Sequence, residues 1–507
     1  MQKNKKESAD IVELKKRLDE VSHLNSAVAI LSWDQEVNMP KKGSEKRAGT
    51  IAHLSSIVHK KFTVIDHDGL LTKLKHEAEA NKLDQDSTAI ILETWKSYER
   101  QVKLPDEFVW EMAELASKAQ TVWAQARKEN NFKLFQPYLE KIIEMKRQEA
   151  KYIGFKDSPY DALIDAFEPN MTAREAAQIL NDLKDFLVPF LAEIKKKKKK
   201  INAKKILGKF PIPEQFEFSK FVAQKMGYDM DAGRIDISSH PFATNFHSQD
   251  VRFTTRYNEK NVLEALGATI HETGHALYEQ GILSENFGTP LGEAISLGIH
   301  ESQSRLWENM IGKSKPFWKF LYPKLQKAFP KPFKSVSVDE FYEILNKVES
   351  SLIRIEADEI TYNLHIIIRF EIERELVEGT LEVKDAPKVW NQKYKDYLGI
   401  DVPDNARGIL QDVHWSGGGV GYFPTYSFGN LYAAQFFNAM RKDIPDLDKK
   451  VAKGDLLPLR EWLRAKIHAH GKRFTAASLV QEVTGEPLNA AYFSAYIKEK
   501  FGKLYGI

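Results

Sequence analysis

The sequence predicts a mostly α-helical protein, with one large helical body, a deep cleft and a small antiparallel β-sheet beside its central helix. Apolar residues recur at intervals of three and four through most of the 507 residues, which is the spacing of amphipathic helices. Residues 235–257 are the exception. Alternate positions there are hydrophobic or β-branched, as in a strand: Val251, Phe253, Thr255 and Tyr257. We therefore expect helices on both sides of one short sheet.

The first predicted helix has apolar residues at helical spacing from Ile11 onwards and ends near Trp33. A later helix begins at a capping box formed by Thr172 and Glu175 and runs into six consecutive lysines, at 195–200. A lysine run can bind polyanions, but a single run in a chain of nearly balanced charge is more typical of a solvated helix face or loop. We therefore assign this run no function.

The composition gives no support for a protein that binds nucleic acid or membranes, and it excludes disulfide bonds. The 74 basic and 71 acidic residues nearly cancel, and a net charge of +3 gives no argument for nucleic acid or membrane as a partner. With no cysteine, the chain cannot form disulfides, which fits a reducing compartment or heat tolerance. The first seven residues lead into an amphipathic pattern rather than a signal sequence, and no apolar run approaches 18 residues. We expect a cytoplasmic protein.

A metal-binding pattern lies in the helix predicted after the sheet. His271 and His275 are four residues apart, so they project from one face of the helix and can hold one metal ion. Glu272 follows the first ligand and is placed to take a proton from water activated by the metal. The pattern H-E-x-x-H therefore predicts zinc-dependent hydrolysis of peptide bonds.

A hydrolytic zinc site needs a third protein ligand. The helix should end at Gly281, so this ligand must come from another helix. By spacing alone, either Glu293 or Glu301 qualifies.

Past the metal site, Ser337 and Glu340 form a second capping box, which predicts a helix extending to Val348. A long helix should follow from about Ser351 to Glu378.

Arg354 and Asp358 would lie on one face of that long helix, four residues apart. Two interpretations of Arg354 are open. Its planar guanidinium can bind the terminal carboxylate of a peptide, or it can form an intrahelical ion pair with Asp358.

Two candidates lie in the predicted sheet region. His240 occupies a non-helical segment suited to lining a cleft, where it either contacts a bound peptide or joins two turns. Arg252 is either a substrate contact or the ion-pair partner of Asp250.

Four of the five residues at 417–421 are glycine, which is typical of a mobile loop over a cleft. His414 and Tyr422 flank this loop and are candidates to stabilise the oxyanion that forms when a peptide bond is attacked. Tyr426 is an alternative to Tyr422.

We expect a single domain over residues 1–507, because the chain has neither a Gly/Ser-rich linker nor a repeat of fixed period. Its parts are an N-terminal helical part at about 1–230, a metal-site core at about 231–430 and C-terminal helices at about 431–507. Within the last part, His468 and His470 are two residues apart on a predicted helix and would point in different directions. We interpret them as surface histidines near a helix end.

Six motifs in this order resemble the M32 metallocarboxypeptidases, the carboxypeptidase Taq family, and further matches extend the resemblance over nearly the whole chain. The motifs are His240-Pro241-Phe242, Asp250-Val251-Arg252-Phe253-Thr254, His271-Glu272-x-x-His275, His300-Glu301-Ser302-Gln303-Ser304, Ile353-Arg354-Ile355-Glu356-Ala357-Asp358 and Gly408-Ile409-Leu410-Gln411-Asp412-Val413-His414-Trp415. Candidate substrate-binding residues within these motifs are His240, Arg252, Arg354 and Gln411.

The resemblance implies that Glu301 is the third metal ligand and Glu272 the general base. It also implies a zinc enzyme, with Co²⁺ as a possible alternative metal. Such an enzyme would release single residues from the C-termini of peptides with broad specificity, disfavouring proline, and would act as a homodimer.

Two other functions are compatible with the residues. The first is a zinc endopeptidase or oligopeptidase that uses the same chemistry. The second is a helical binding scaffold with a structural metal, although the sequence offers no fourth strong ligand at a fitting spacing.

Overall fold

Helices dominate residues 8–507, which are the residues that the computed structural model describes. The first seven residues, in which we expect no signal sequence, lie outside this range. The described residues form 21 α-helices: α1 Ala9–Val37, α2 Ser44–Thr63, α3 Leu70–Glu79, α4 Gln85–Val102, α5 Asp106–Lys128, α6 Phe132–Ile153, α7 Pro159–Ile164, α8 Ala173–Lys196, α9 Ile212–Met226, α10 Val262–Gly281, α11 Leu297–Arg305, α12 Lys315–Ala328, α13 Pro330–Phe333, α14 Val338–Leu345, α15 Thr361–Glu378, α16 Ala386–Leu398, α17 Pro424–Asp443, α18 Leu447–Lys453, α19 Leu457–Lys466, α20 Ala476–Thr484 and α21 Ala491–Tyr505. The strands are β1 Gly233–Ile237, β2 Ala243–His247 and β3 Asp250–Thr255. The predicted mostly α-helical class is confirmed.

Helix α1 begins close to the predicted position, because the Ser8 side chain accepts a hydrogen bond from the Ile11 amide and caps the helix. It continues four residues beyond the predicted end near Trp33. With α3 and α4 it encloses a small hydrophobic core of its own. The Ser26 hydroxyl donates to the carbonyl of Phe246 in β2, which fixes α1 across the sheet.

Helix α8 opens at the predicted capping box. The Thr172 hydroxyl accepts from the Glu175 amide, and the Glu175 carboxylate accepts from the Thr172 amide. The two bonds satisfy backbone donors that the first turn of a helix leaves unpaired.

The lysine run at the end of α8 is exposed, as predicted for a solvated segment. Three of its members also donate to backbone carbonyls at the carboxyl ends of α16 and α21. The pairs are Lys195 with Leu398, Lys197 with Gly506, and Lys199 with Leu504. Cations are stabilised at these ends because the last carbonyls of a helix lack intrahelical partners and carry partial negative charge. The run therefore joins three helix ends.

The region around residue 350 differs from the prediction. Helix α14 ends at Leu345, short of Val348. The long helix predicted from about Ser351 begins only at Thr361, because the Asp358 carboxylate accepts hydrogen bonds from backbone amides at the start of α15. Aspartate favours such capping over a place inside a helix. Arg354 consequently lies in a single 3₁₀ turn rather than on α15.

The sheet has the strand order β1-β3-β2. Strands β2 and β3 are antiparallel, as predicted, whereas β1 and β3 are parallel, so the sheet is mixed and the antiparallel prediction is wrong for β1. The chain reverses between β1 and β2 and again between β2 and β3, so β3 runs in the same direction as β1. Strand β3 lies between the other two. An alternating hydrophobic pattern does not encode this direction.

Helix α10 is the central element of the fold, and β3, α9 and α11 pack against it. Gly274 lets α11 approach closely, since a Cβ atom there would lie 2.6 Å from the Cα of Ser304. Gly429 of α17 has the same role, because a Cβ atom there would lie 2.4 Å from the Cγ of Glu301. Both contacts press α11 against its neighbours. The main hydrophobic core runs continuously through these helices.

The predicted surface position of His468 is wrong. Its side chain is buried, and its Nε2 lies 2.9 Å from the Gln303 Oε1 of α11. A 3₁₀ segment after α19 carries it beneath α10 and α11, a tertiary contact that the local spacing of two histidines cannot indicate.

Candidate active site

Three side chains with metal-ligating atoms meet where α10 and α11 cross. His271 and His275 project from adjacent turns of α10, and Glu301 faces them from α11. Their potential ligand atoms all lie within 4.8 Å of one another. The Glu301 Oε2 is 3.3 Å from the His275 Nε2 and 3.7 Å from the His271 Nε2. Two imidazole nitrogens and one carboxylate oxygen suit a divalent transition metal and leave a coordination position free.

The geometry favours Glu301 over Glu293, the alternative that sequence spacing leaves open. Glu293 is exposed and forms an ion pair with Lys472. Glu301 is buried beside the two histidines. Burial alone would favour the neutral acid, but Arg305 and the histidines hold the pKa of Glu301 well below its usual range. Burial also lowers the pKa of His275 to about 3, so this imidazole is neutral, as a metal ligand must be.

Each histidine has a partner on its far side. The His271 Nδ1 is 2.8 Å from the Glu308 Oε2. The His275 Nδ1 is 2.5 Å from the His300 Nδ1, and the other nitrogen of His300 lies 2.7 Å from the Glu279 Oε1. A metal ion on the Nε2 atoms would leave the proton of each ring on Nδ1, and these partners would then hold the rings in that orientation.

The partners of the two histidines were not predicted from the sequence. Glu279 follows His275 by four residues on α10, and His300 directly precedes Glu301. Glu308 lies in the π-helical segment Leu306–Gly312, where a carboxylate stands among buried apolar residues. Acidic residues and a histidine that stand among apolar residues near the metal-binding pattern are the sequence signal that would have indicated these partners.

Glu272 is buried beside the histidines and lines the cleft. Burial raises the pKa of its carboxyl group to about 7. A carboxyl with this pKa can both accept and return a proton near neutral pH.

The cleft over these residues has a volume of about 700 Å³. Of the residues predicted from sequence, His240, Arg354, Tyr422 and Tyr426 line it together with the three metal-ligand candidates and Glu272. Arg305 and Tyr362 also line it and were not predicted.

Arg354 faces the cleft from a buried position, and its ion-pair partner is Asp412 rather than Asp358, the partner in one of its two interpretations. Its Nε donates to the Asp412 Oδ1 at 2.9 Å, and its Nη1 donates to the Tyr362 hydroxyl at 3.2 Å. Asp412 also binds the Arg369 guanidinium, with a closest approach of 2.6 Å. Despite burial, the two guanidinium groups hold the pKa of Asp412 well below its usual range.

Arg252 and Gln411 lie outside the cleft lining. Arg252 binds both oxygens of Asp250 and stacks on Trp33, with its Cζ 4.4 Å from the ring centroid. Of the two interpretations of Arg252, these contacts favour the ion pair with Asp250 over a contact with substrate. The Gln411 Oε1 accepts from the Arg354 amide, and its Nε2 donates to the Leu352 carbonyl. Gln411 therefore supports the backbone of the turn that carries Arg354.

His414 does not line the cleft itself but contacts Tyr422 and Tyr426, which do. Its Nε2 is 3.3 Å from the Tyr426 hydroxyl, and it is absent from the cleft lining. Burial lowers the pKa of His414 to about 4, so the ring is neutral.

The glycine-rich loop is packed against the protein instead of lying free over the cleft. Its Gly421 has φ +92°, and its amide donates to the Glu373 carboxylate at 3.1 Å. The Trp415 indole and the Tyr160 hydroxyl bind the same carboxylate. A Cβ atom at Gly421 would lie 2.8 Å from the backbone of Leu163, so glycine is required here for both conformation and space.

Residues 13–501 match the family described as Carboxypeptidase Taq (M32) metallopeptidase. The chain belongs to this family. Carboxypeptidase 1 of Bacillus subtilis is 42% identical over 490 residues, which are 96% of this chain and 97% of that protein. Thermostable carboxypeptidase 1 of Thermus thermophilus is 40% identical, with 96% of this chain and 97% of that protein covered. The crystal structure of the M32 carboxypeptidase from Deinococcus radiodurans superposes with a TM-score of 0.95 at 36% identity, covering 99% of this chain and 100% of that one.

Membership of the M32 family makes the protein a metallocarboxypeptidase, a peptide hydrolase that works with a bound metal ion. The family resemblance of the motifs is thereby confirmed. Within residues 8–507, no helix is both long enough and apolar enough to cross a membrane.

Proposed function

We propose that this metallocarboxypeptidase uses Zn²⁺, held by His271, His275 and Glu301, to remove single residues of many kinds from the C-termini of peptides. The observation that carries the proposal is the convergence of these three side chains on one point of a cleft that Glu272 also lines. Co²⁺ also suits two nitrogens and one oxygen, so it is a possible alternative metal.

When bound, the metal ion would supply Lewis-acid chemistry, polarising the scissile carbonyl and making water more acidic. Glu272 takes the proton of the attacking water on its carboxylate and returns it to the nitrogen of the leaving residue. General acid–base catalysis of this kind contributes about 10²- to 10⁴-fold to the rate.

The hydroxyl groups of Tyr422 and Tyr426 stabilise the oxyanion. Both rings line the cleft and pack edge to face, with centroids 5.3 Å apart. Each well-aimed donor to an oxyanion contributes about 2.7 to 4 kcal/mol. The His414 Nε2 positions the Tyr426 hydroxyl from behind, which replaces the direct contact with substrate that the sequence suggests for His414.

Arg354 binds the terminal carboxylate of the substrate. Its side chain is only 8% exposed, and Asp412 holds it in place, so its guanidinium is oriented before substrate arrives. His240 lines the same cleft and contacts the bound peptide. An arginine that pairs with the free C-terminus fixes the last peptide bond over the catalytic groups.

An endopeptidase or oligopeptidase with the same zinc chemistry is the alternative. Mass spectrometry of one peptide and its C-terminally amidated twin separates the two functions. A carboxypeptidase shortens only the free peptide, one residue at a time, whereas an endopeptidase cuts both internally. Glu272→Gln should abolish cleavage, and Glu264→Gln, at an exposed position of the same helix, should preserve it.

The remaining parts of the proposal concern the whole molecule. We propose a single domain, which is supported by the continuous main core from Ala119 to Tyr505 and by Leu291, which belongs to the smaller core of α1, α3 and α4. We also propose a cytoplasmic homodimer with neither nucleic acid nor membrane as a partner. The absence of cysteine and the near-neutral charge support the location and the partners, and the family resemblance supports the dimer. Sedimentation equilibrium tests the dimer.

A further inference from the structure

We propose that Arg305 is a positioning residue that makes Glu301 bind the metal through one oxygen only and so keeps one coordination position free. The inference rests on the proposed metal site of His271, His275 and Glu301. It concerns how the third ligand is presented to the metal.

The two oxygens of Glu301 have different surroundings. The Oε2 faces the Nε2 atoms of the two histidines, at 3.3 and 3.7 Å. The Oε1 accepts a hydrogen bond of 2.6 Å from the Arg305 Nε, one turn further along the chain. A carboxylate oxygen in such a short, charge-assisted bond is engaged by the arginine and points away from the histidines. The Oε2 accepts only a longer bond, of 3.2 Å from the Ser304 hydroxyl, and is the oxygen presented to the metal.

The same guanidinium connects two arms of the site. The Arg305 Nη1 donates to the Glu308 Oε2 at 3.1 Å, and that oxygen lies 2.8 Å from the His271 Nδ1. Arg305 therefore binds the ligand Glu301 directly and also binds Glu308, the partner of the ligand His271. Its side chain is 12% exposed and its Cζ lies 4.4 Å from the ring centroid of Tyr362, so water competes little for its hydrogen bonds.

The backbone of α17 restrains Glu301 from the other side. The Gly429 position leaves no room for a Cβ atom, which would lie 2.4 Å from the Glu301 Cγ and 2.7 Å from its Cβ. The stem of Glu301 is thus held between α11 and α17, and Arg305 sets the rotation of its carboxylate. These two restraints together determine which oxygen faces the metal.

The number of oxygens matters because a catalytic zinc site has three protein ligands and an open fourth position. If Glu301 used both oxygens, the second would compete for that position. A freed Oε1 would also bring its charge closer to the metal. Arg305 prevents both effects through its bond to Oε1.

The first measurement is a crystal structure of the zinc-loaded wild-type protein. We expect one Glu301 oxygen at about 2.0 to 2.2 Å from the metal and the other bonded to Arg305. Two Glu301 oxygens at bonding distance would overturn the proposal, whatever any variant does. This measurement does not depend on a variant that folds.

The second measurement compares Arg305→Met with wild type by X-ray absorption of the zinc form and visible absorption of the cobalt form. We expect the variant to gain one oxygen neighbour and to show a weaker cobalt band, because absorption falls as the coordination number rises. Wild-type coordination in a folded Arg305→Met variant would refute the inference.

Lys313→Met is the matched control, because the Lys313 Nζ binds Glu308 at 3.2 Å but has no bond to Glu301. It removes a nearby positive charge and leaves the Arg305 bond intact. We expect wild-type coordination. The same change in both variants would mean that local charge, not the bond to Oε1, sets the coordination, and would overturn the proposal. A wild-type protein that binds no metal at these three residues would instead refute the proposed function.

Discussion

The imidazole rings of His275 and His300 are in direct contact through their Nδ1 atoms, which lie 2.5 Å apart. With a metal ion on the Nε2 of His275, its Nδ1 would be the donor and that of His300 the acceptor. His300 in turn donates from Nε2 to Glu279, whose other oxygen accepts from the Asn245 amide. A chain of hydrogen bonds therefore extends from the candidate metal ligand to strand β2, and Glu279 accepts a bond at each of its two oxygens.

We predict that His300→Ala weakens metal binding by about 10- to 100-fold, the usual effect of removing an outer partner of a ligating histidine. Competition between the protein and a chelator for Zn²⁺ measures the affinity. His76→Ala, at an exposed position of α3, is the control and should leave the affinity unchanged. Equal affinities for His300→Ala and wild type would show that the ring contact does not orient His275.

Replacing Arg354 tests the proposed anchor for the substrate carboxylate. We expect Arg354→Met to lower kcat/KM for free peptides by about 100-fold, which corresponds to roughly 2.7 kcal/mol of lost transition-state binding. Cleavage of the amidated twin, already poor, should not fall further, because that substrate has no carboxylate to lose. A parallel loss for both substrates would assign Arg354 a purely structural role.

Local sequence patterns were sufficient for the part of the site that lies on one helix. The spacing of His271 and His275 predicts one shared face, and a helix satisfies that spacing wherever it lies in the fold. The pairing of Arg252 with Asp250 was among the alternatives for the same reason, since the two residues are neighbours on β3.

Contacts between segments that are distant in the chain could not be predicted from local sequence patterns. Arg354 offers its guanidinium to Asp412, 58 positions along the chain, while the nearer Asp358 caps α15. Local spacing favours the nearer carboxylate, but a buried, charge-assisted bond outweighs an exposed pair on one helix. Spacing left the choice between Glu293 and Glu301 open for the same reason, although the family motif implied Glu301. The direction of β1 and the burial of His468 also depend on distant contacts.

Asp412 should be essential for stability, because it neutralises both Arg354 and the fully buried Arg369. We predict that Asp412→Asn lowers the free energy of unfolding by about 3 to 5 kcal/mol, since it leaves two buried guanidinium groups without a counter-ion. Urea unfolding followed by circular dichroism measures the loss. Asp404→Asn breaks an exposed pair with Arg407 and should cost less than about 1 kcal/mol. Similar losses for both variants would contradict this account of Asp412.

Glu373 beneath the glycine-rich loop should make stability depend on pH. Burial outweighs the three hydrogen bonds from Trp415, Tyr160 and Gly421 and raises the pKa of its carboxyl group from 4.5 to about 7. Because the pKa is higher in the folded state, the contribution of this group is full below about pH 4.5 and is lost as the pH rises through 7.

We therefore compare the free energy of unfolding of wild type with that of Glu373→Gln, which cannot ionise, from pH 4 to pH 9. The difference between them should change by about 3 kcal/mol in favour of the variant, at 1.36 kcal/mol per pKa unit. Gln also replaces one acceptor by a donor, which lowers the stability of the variant by an amount that does not vary with pH. Only the change of the free-energy difference with pH therefore reports the ionisation of Glu373. Glu356→Gln, at an exposed position, is the control. A constant difference across the range would show that the pKa of Glu373 is the same in the folded and unfolded protein, and would contradict this account of its burial.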